Sequence, residues 1–254
     1  MQPRFVGRLG LADLVTVANA GLGFAAAVAA TASPALGARL ILLAAVADGL
    51  DGVLARKVGS TPVGEFIDSL ADVASFCVAP AIFVFSVASA EWDLTLSGAD
   101  PPGLLATAFV VPALFVGSGV VRLGMYTAYD IGSDETEGVQ TTLAATILAV
   151  VYLAGVPGAR GATALLAMTA VFTYLMITTI TYPELRASHA LGMGAVQAGA
   201  IVAPTAFGRL FPRALLVGAV LYLIGPWFYR RYLVDAPEEG AEESRDPAPG
   251  ADTE

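Results

Sequence analysis

Apolar runs of about 20 residues, separated by short polar or turn-rich breaks, follow one another from residue 12 almost to residue 230. A run of that length crosses a hydrocarbon core of about 30 Å as a helix, the form that satisfies its own backbone groups in lipid. The pattern predicts eight helices, at 12–32, 36–57, 69–90, 103–125, 140–156, 161–182, 189–208 and 212–229. The breaks carry turn chemistry: Ser33 with Pro34, Gly59 with Pro62, Asp100 to Gly103, Gly155 to Gly158, and Pro183. The segment MQPRFVGRLGLADL ahead of the first run has no small-residue cleavage site, so that run is expected to stay as a membrane helix. The expected fold is all-α: a polytopic membrane bundle over residues 1–233, followed by an acidic disordered tail at 234–254.

One stretch breaks the apolar pattern. Residues 48–72, DGLDGVLARKVGSTPVGEFIDSLAD, hold four aspartates and a glutamate between nearly unbroken hydrocarbon on either side. Ionisable groups at membrane depth are costly and mark function when they persist.

Composition agrees with the membrane reading: 56% of the 254 residues are hydrophobic, only 14% are charged, and mean hydropathy is +0.72. A soluble domain carries about 25% charge. Cys77 and His189 are the only residues of their kinds, which excludes an intramolecular disulfide, a cysteine cluster and a multi-histidine metal site in this chain. Any metal must be held by oxygen, as suits a hard divalent cation.

The net charge is −9, but eight of the 22 acids fall in the tail DAPEEGAEESRDPAPGADTE, so the excess describes a solvated end. No nucleic-acid partner is expected. Lys57 is the only lysine beside 12 arginines, a composition that fits either a protein of high-salt surroundings, as in a halophilic archaeon, or a genome rich in G and C.

Arginine placement orients the bundle. With the N-terminus in the cytoplasm, Arg4, Arg8, Arg56, Lys57, Arg122, Arg186, Arg230 and Arg231 face inward, against Arg39, Arg160, Arg209 and Arg213 outward. The loop between the second and third helices is then cytoplasmic. Asp51 and Asp48 fall about 8 and 12 Å below the helix end at Arg56, at 1.5 Å per residue. The third helix is expected to begin near Asp68. Trp227, Tyr229 and Tyr232 fit an interfacial aromatic belt.

Asp48 and Asp51 are three residues apart, Asp68 and Asp72 four, so each pair shares a helix face. A short loop makes the two helices antiparallel neighbours, and the four carboxylates are expected to converge. Like charges in a low-dielectric pocket repel unless cations neutralise them, which favours Mg²⁺ or Mn²⁺, as a pair bridged by carboxylates. Gly52, Ala55 and Gly64 leave room for a ligand or a close helix approach, and Arg56 suits bidentate phosphate contact. Metals, an arginine and a flat slot describe a site for a nucleotide diphosphate. Taken singly, the small residues would serve packing, Arg56 anchoring, and one aspartate a proton relay; the combined pattern D-x-x-D-G-x-x-A-R, then G-x-x-x-D-x-x-x-D, asks for more.

Asp48, Asp51, Gly52, Ala55, Arg56, Gly64, Asp68 and Asp72 together resemble the signature of the CDP-alcohol phosphotransferases, over about residues 12–156. Seven residues separate Arg56 from Gly64 where eight are usual. The run DSLADVASFCVAPAIF is similar to the serine-transferring branch, as are Thr16, Asn19 and Gly23 in the first helix, RLGMY and GVQTTLAA; Cys77 and Gln140 depart from it.

The resemblance implies a membrane enzyme that moves a lipid phosphate from a CDP-lipid to L-serine and releases CMP. It implies metal ligation by Asp48, Asp51, Asp68 and Asp72, with Asp72 also the general base, donor binding at Gly52, Ala55, Arg56 and Gly64, and a homodimer. Arg122 is a candidate for the serine carboxylate or the lipid phosphate, or else an anchor that snorkels. With an archaeal source, the donor would be CDP-archaeol in place of CDP-diacylglycerol. Two alternatives stand beside this reading: a sibling enzyme using glycerol phosphate or inositol phosphate, and an ion-coupled transporter, which would call for inverted repeats that the chain does not display.

Overall fold

The computed structural model describes residues 5, 7–59, 61–96, 100–130, 135–155, 159–183 and 187–229. The tail from 234, Tyr232, Arg4, Arg186, Arg230 and Arg231 lie outside them, as do the side chains of Arg160, His189, Trp227 and Tyr229. Eight helices run through the described residues: α1 Leu11–Ala32, α2 Pro34–Val58, α3 Gly64–Glu91, α4 Pro102–Met125, α5 Thr141–Leu153, α6 Ala159–Leu175, α7 Ala187–Val202 and α8 Ala206–Tyr229. Four apolar segments, Leu11–Ala32, Gly64–Glu91, Pro102–Tyr129 and Ala206–Gly225, are long enough to cross a membrane. Shorter apolar helices stand beside them, and α2 interrupts its own apolar length with the acidic stretch.

Helices α1 and α2 form a tight antiparallel hairpin. Pro34 opens α2 at its first turn, where no backbone donor is needed, and Ser33 caps it by accepting the Leu36 N–H at 3.4 Å. A Cβ on Gly37 would stand 2.6 Å from the Ala30 Cβ, so only glycine lets the hairpin close this far. At the other end α2 stops at Gly59, whose φ of +92° is a conformation that side-chain-bearing residues avoid.

Helix α3 begins at Gly64, more than a turn before the expected start. Pro62 lies in a turn that ends the loop, and Glu65 sits in the first helical turn, where the helix dipole favours an acid. Immediately after Asp72 the helix widens into a π turn, Val73–Val78, with the Ala79 N–H bonded back to the Ala74 carbonyl. Pro80 accounts for the position. It cannot donate to the carbonyl one turn earlier and its ring crowds that group, and a wider turn relieves both.

Helix α5 is apolar all round and sits at the centre, with Ala144 to Val151 buried throughout. Phe76, Phe83, Phe115, Ile41 and Leu42 complete the core around it.

The sixth helix stops at Leu175, short of the expected 182, because residues 177–182 read Ile-Thr-Thr-Ile-Thr-Tyr, a run rich in β-branched side chains. Thr181–Pro183 (β2) pairs antiparallel with Glu135–Glu137 (β1), a two-stranded ribbon that the helical reading missed. The seventh helix likewise ends at Val202, before the expected 208; within the eighth, Ala206–Tyr229, the left-handed backbone of Phe207, Gly208 and Arg209 makes a kink, and regular helix follows it. Both are tied to the rest of the bundle through backbone carbonyls: Arg39 Nε donates to Ile201 O, Gln197 Nε2 to Leu42 O at 2.8 Å, and Arg209 Nη1 to Leu153 O at 2.9 Å.

Where α1 crosses α3, a Cβ on Gly23 would lie 2.6 Å from Ser75 Oγ and 2.7 Å from Ser75 Cα, inside the contact limit of backbone as well as side chain. Gly23→Ala is therefore expected to destabilise the protein by about 1–3 kcal/mol, the usual cost of overpacking, read as a lowered melting temperature in detergent. Gly21→Ala, on the same helix with open space around it, is the control that should melt with the wild type.

Candidate active site

The loop at 59–63 links α2 to α3. The first part of α3, Gly64–Asp72, packs against α1, while the later turns of α3 pack against α2, so the two helices are not the simple side-by-side pair that the short loop suggests. Asp48 on α2 and Asp68 and Asp72 on α3 converge, with one carboxylate oxygen of each within 4.8 Å of the others. Asp48 and Asp72 interact through their side chains, and Thr142 Oγ1, from α5, stands 3.5 Å from Asp48 Oδ2. Asp72 is the most deeply buried of the three, one turn further along α3 than Asp68.

Asp51 departs from the expected four-fold convergence. Three residues on from Asp48, it is rotated towards α1, where it lines a neighbouring cavity of about 120 Å³ with Thr16, Gly52, Ala55, Gly64, Glu65 and Asp68. Asp68 belongs to both groups and joins them. The sequence pattern thus resolves into a cluster of three facing α5 and a pocket facing α1.

Gly52, Ala55 and Gly64 all line that pocket, so the small residues leave open space. Arg56 Nη1 lies 3.8 Å from the place a Cβ on Gly52 would occupy, so the exposed guanidinium stands beside Gly52 without itself lining the pocket. Arg122 is buried on α4, 5.8 Å from the centre of the Tyr126 ring, and its charge acts on Asp72. A second tie to α3 comes from the wider turn Tyr126–Asp130 that follows α4, where Ser69 Oγ and Thr127 Oγ1 share a hydrogen bond at 2.6 Å. Cys77, the departure noted in the sequence, is fully buried with its sulfur against Gly119.

A divalent cation fits the residues present. Asp51 Oδ2 and Asp72 Oδ1 are buried without a hydrogen-bond partner, a state that a positive ligand relieves. The donors are all carboxylate oxygens, as Mg²⁺ and Mn²⁺ require. Among the described residues, the Arg122 charge acts on Asp72 and the Thr142 hydroxyl on Asp48, little to set against three acids this close.

Asp13 escaped the sequence reading. It lines the same pocket from the first turn of α1, nearly fully buried, and no spacing to the other acids announces it. Asn19 did carry a signal, as one of the first-helix positions shared with the serine branch. Its side chain is fully buried with neither amide atom hydrogen-bonded, and its backbone carbonyl accepts from Ser75 Oγ at 2.8 Å.

The sequence pattern of the CDP-alcohol phosphatidyltransferases matches residues 9–183, further than the signature alone extends. An archaetidylserine synthase of Methanothermobacter thermautotrophicus is 31% identical over 195 residues, 75% of this chain and 74% of that protein. A CDP-diacylglycerol–serine O-phosphatidyltransferase of Mycobacterium leprae is 52% identical over 48 residues, 18% of this chain and 16% of its own. The enzyme of the same name from Mycobacterium bovis is 31% identical over 132 residues, 52% of this chain and 38% of the relative.

Proposed function

The chain belongs to the CDP-alcohol phosphatidyltransferase family, and from that premise we propose that it transfers the lipid phosphate of a CDP-lipid to L-serine, releasing CMP. The observation that carries the reading is the meeting of Asp48, Asp68 and Asp72 beside a small-residue pocket, with Arg122 behind Asp72. The family is a family of membrane enzymes that depend in general on divalent metal, and this chain is a multi-pass membrane protein.

Asp48, Asp68 and Asp72 would hold one divalent ion, Mg²⁺ or Mn²⁺, and Asp51 with Asp68 a second. Bound there, the ions supply charge neutralisation and polarisation at the donor diphosphate. Gly52, Ala55 and Gly64 make room for the cytidine, and Arg56 reaches a phosphate oxygen. Arg122 receives the serine carboxylate and turns the hydroxyl towards Asp72. Asp72 takes the hydroxyl proton as the oxygen attacks the lipid-side phosphorus. The bond from that phosphorus to the oxygen bridging to CMP breaks, and CMP leaves.

The positive-inside pattern supports a site opening to the cytoplasm, where CDP-lipid headgroups and serine meet. The match covering three quarters of the chain is to an archaetidylserine synthase, which with the lysine-poor composition favours CDP-archaeol over CDP-diacylglycerol. A homodimer is expected from the family resemblance. A glycerol phosphate or inositol phosphate acceptor would call for more cations near Asp72 than Arg122 provides. Labelled L-serine offered to the purified protein with CDP-archaeol or CDP-diacylglycerol and Mn²⁺ should enter a lipid product; entry of labelled glycerol phosphate or inositol phosphate in its place would overturn the acceptor.

A further inference from the structure

Asp13 lies outside the family signature, yet its side chain connects three parts of the donor pocket. Its Oδ2 accepts two hydrogen bonds, from the Gly10 N–H at the start of α1 and from the Thr61 hydroxyl, each at 2.8 Å. Thr61 belongs to the loop that delivers α3, 48 residues away in sequence. The other oxygen, Oδ1, faces Gly64: a Cβ on that residue would stand 3.1 Å from it, closer than most side chains tolerate. One carboxylate therefore meets the beginning of α1, the α2–α3 loop and the first residue of α3, while lining the cavity opposite Asp51 and Asp68. At 3% exposure, an oxygen that lost these donors would stay desolvated, so the arrangement holds only while both bonds are made.

We propose that Asp13 is a positioning residue that clamps the α2–α3 loop to α1 through Thr61 and Gly64, and so fixes the width of the donor pocket between Asp51 and Asp68. The inference rests on reading that pocket as the seat of the CDP-lipid headgroup. What the clamp needs from residue 13 is an acceptor oxygen. An amide oxygen can accept both bonds as well as a carboxylate can, whereas a cation ligand needs the charge.

The test measures the KM values of CDP-lipid and of serine, together with CDP-lipid binding in mixed micelles containing Mn²⁺. Asp13→Ala is expected to raise the CDP-lipid KM about tenfold while the serine KM and melting temperature stay near wild type. Thr61→Val should reproduce that defect without touching the carboxylate, and the double variant should be no worse than Asp13→Ala alone, since both remove one connection. Asp13→Asn should remain within about threefold of wild type in donor KM. If Asp13→Asn is as damaging as Asp13→Ala, residue 13 acts through its charge and the clamp is wrong; defects of Thr61→Val and Asp13→Ala that multiply would equally overturn it. A wild type that binds CDP-lipid but transfers to an alcohol other than serine refutes the acceptor and leaves the clamp standing, because donor binding alone enters the comparison. A wild type that binds no CDP-lipid removes the pocket reading and the clamp with it.

Discussion

Asp68→Asn and Asp48→Asn are each expected to abolish CMP release while leaving the protein folded and inserted. Altering a group that merely supports a metal ligand typically costs about 10- to 100-fold, so loss of a ligand shared across the cluster should cost at least about 100-fold. Stability should behave in the opposite way. The three carboxylates whose oxygens lie within 4.8 Å of one another repel, and removing one charge relieves that repulsion in metal-free protein. Melting in chelator should therefore show no loss, or a gain, in the variants. Added Mg²⁺ or Mn²⁺ tells the other half: a ligand at about 100 times its Kd stabilises a folded protein by about 2.7 kcal/mol, and this increment should shrink sharply in both variants. Retention of more than about a tenth of wild-type activity by either would count against direct ligation.

Asp72→Asn should separate chemistry from binding. If Asp72 removes the serine proton, its amide variant should still bind CDP-lipid and metal but release CMP about 10²- to 10⁴-fold more slowly, the usual effect of losing a general base. The motive is position. Asp72 lies a turn further along α3 than Asp68, next to Arg122, and one of its oxygens has no hydrogen-bond partner. Donor titrations beside single-turnover rates distinguish the outcomes: donor binding lost as completely as in Asp68→Asn would make Asp72 a ligand without a base role.

How far the sequence foretold this arrangement depends on the range of each signal. Helix number and the facing of Asp68 with Asp72 follow from local spacing and apolar run length, and both appear among the described residues. Asp51 was expected to join Asp48 because the pair shares a broad face, but a three-residue step also rotates the second side chain towards a different neighbour. That neighbour, α1, is set by Gly23 and Gly37, whose closeness to Ser75 and Ala30 no periodicity displays. The π turn after Asp72 was hidden for a different reason: Pro80 announces a disturbance in a helix without saying whether a kink, a break or a wider turn will absorb it. The β1–β2 ribbon was missed because its β-branched run is as apolar as the helix it follows. Asp13 was invisible because its significance lies in Thr61 and Gly64, which folding alone brings to it.

The most direct test of the central claim is CMP release by purified protein given CDP-archaeol or CDP-diacylglycerol, with and without L-serine, in Mg²⁺ or Mn²⁺ and again after chelation. Release is expected to require serine and the divalent ion together and to stop when the ion is withdrawn. Release unaffected by chelation, or no release with any alcohol, would contradict that claim, and the second result would return the aspartates to the role of a cation site in a transporter.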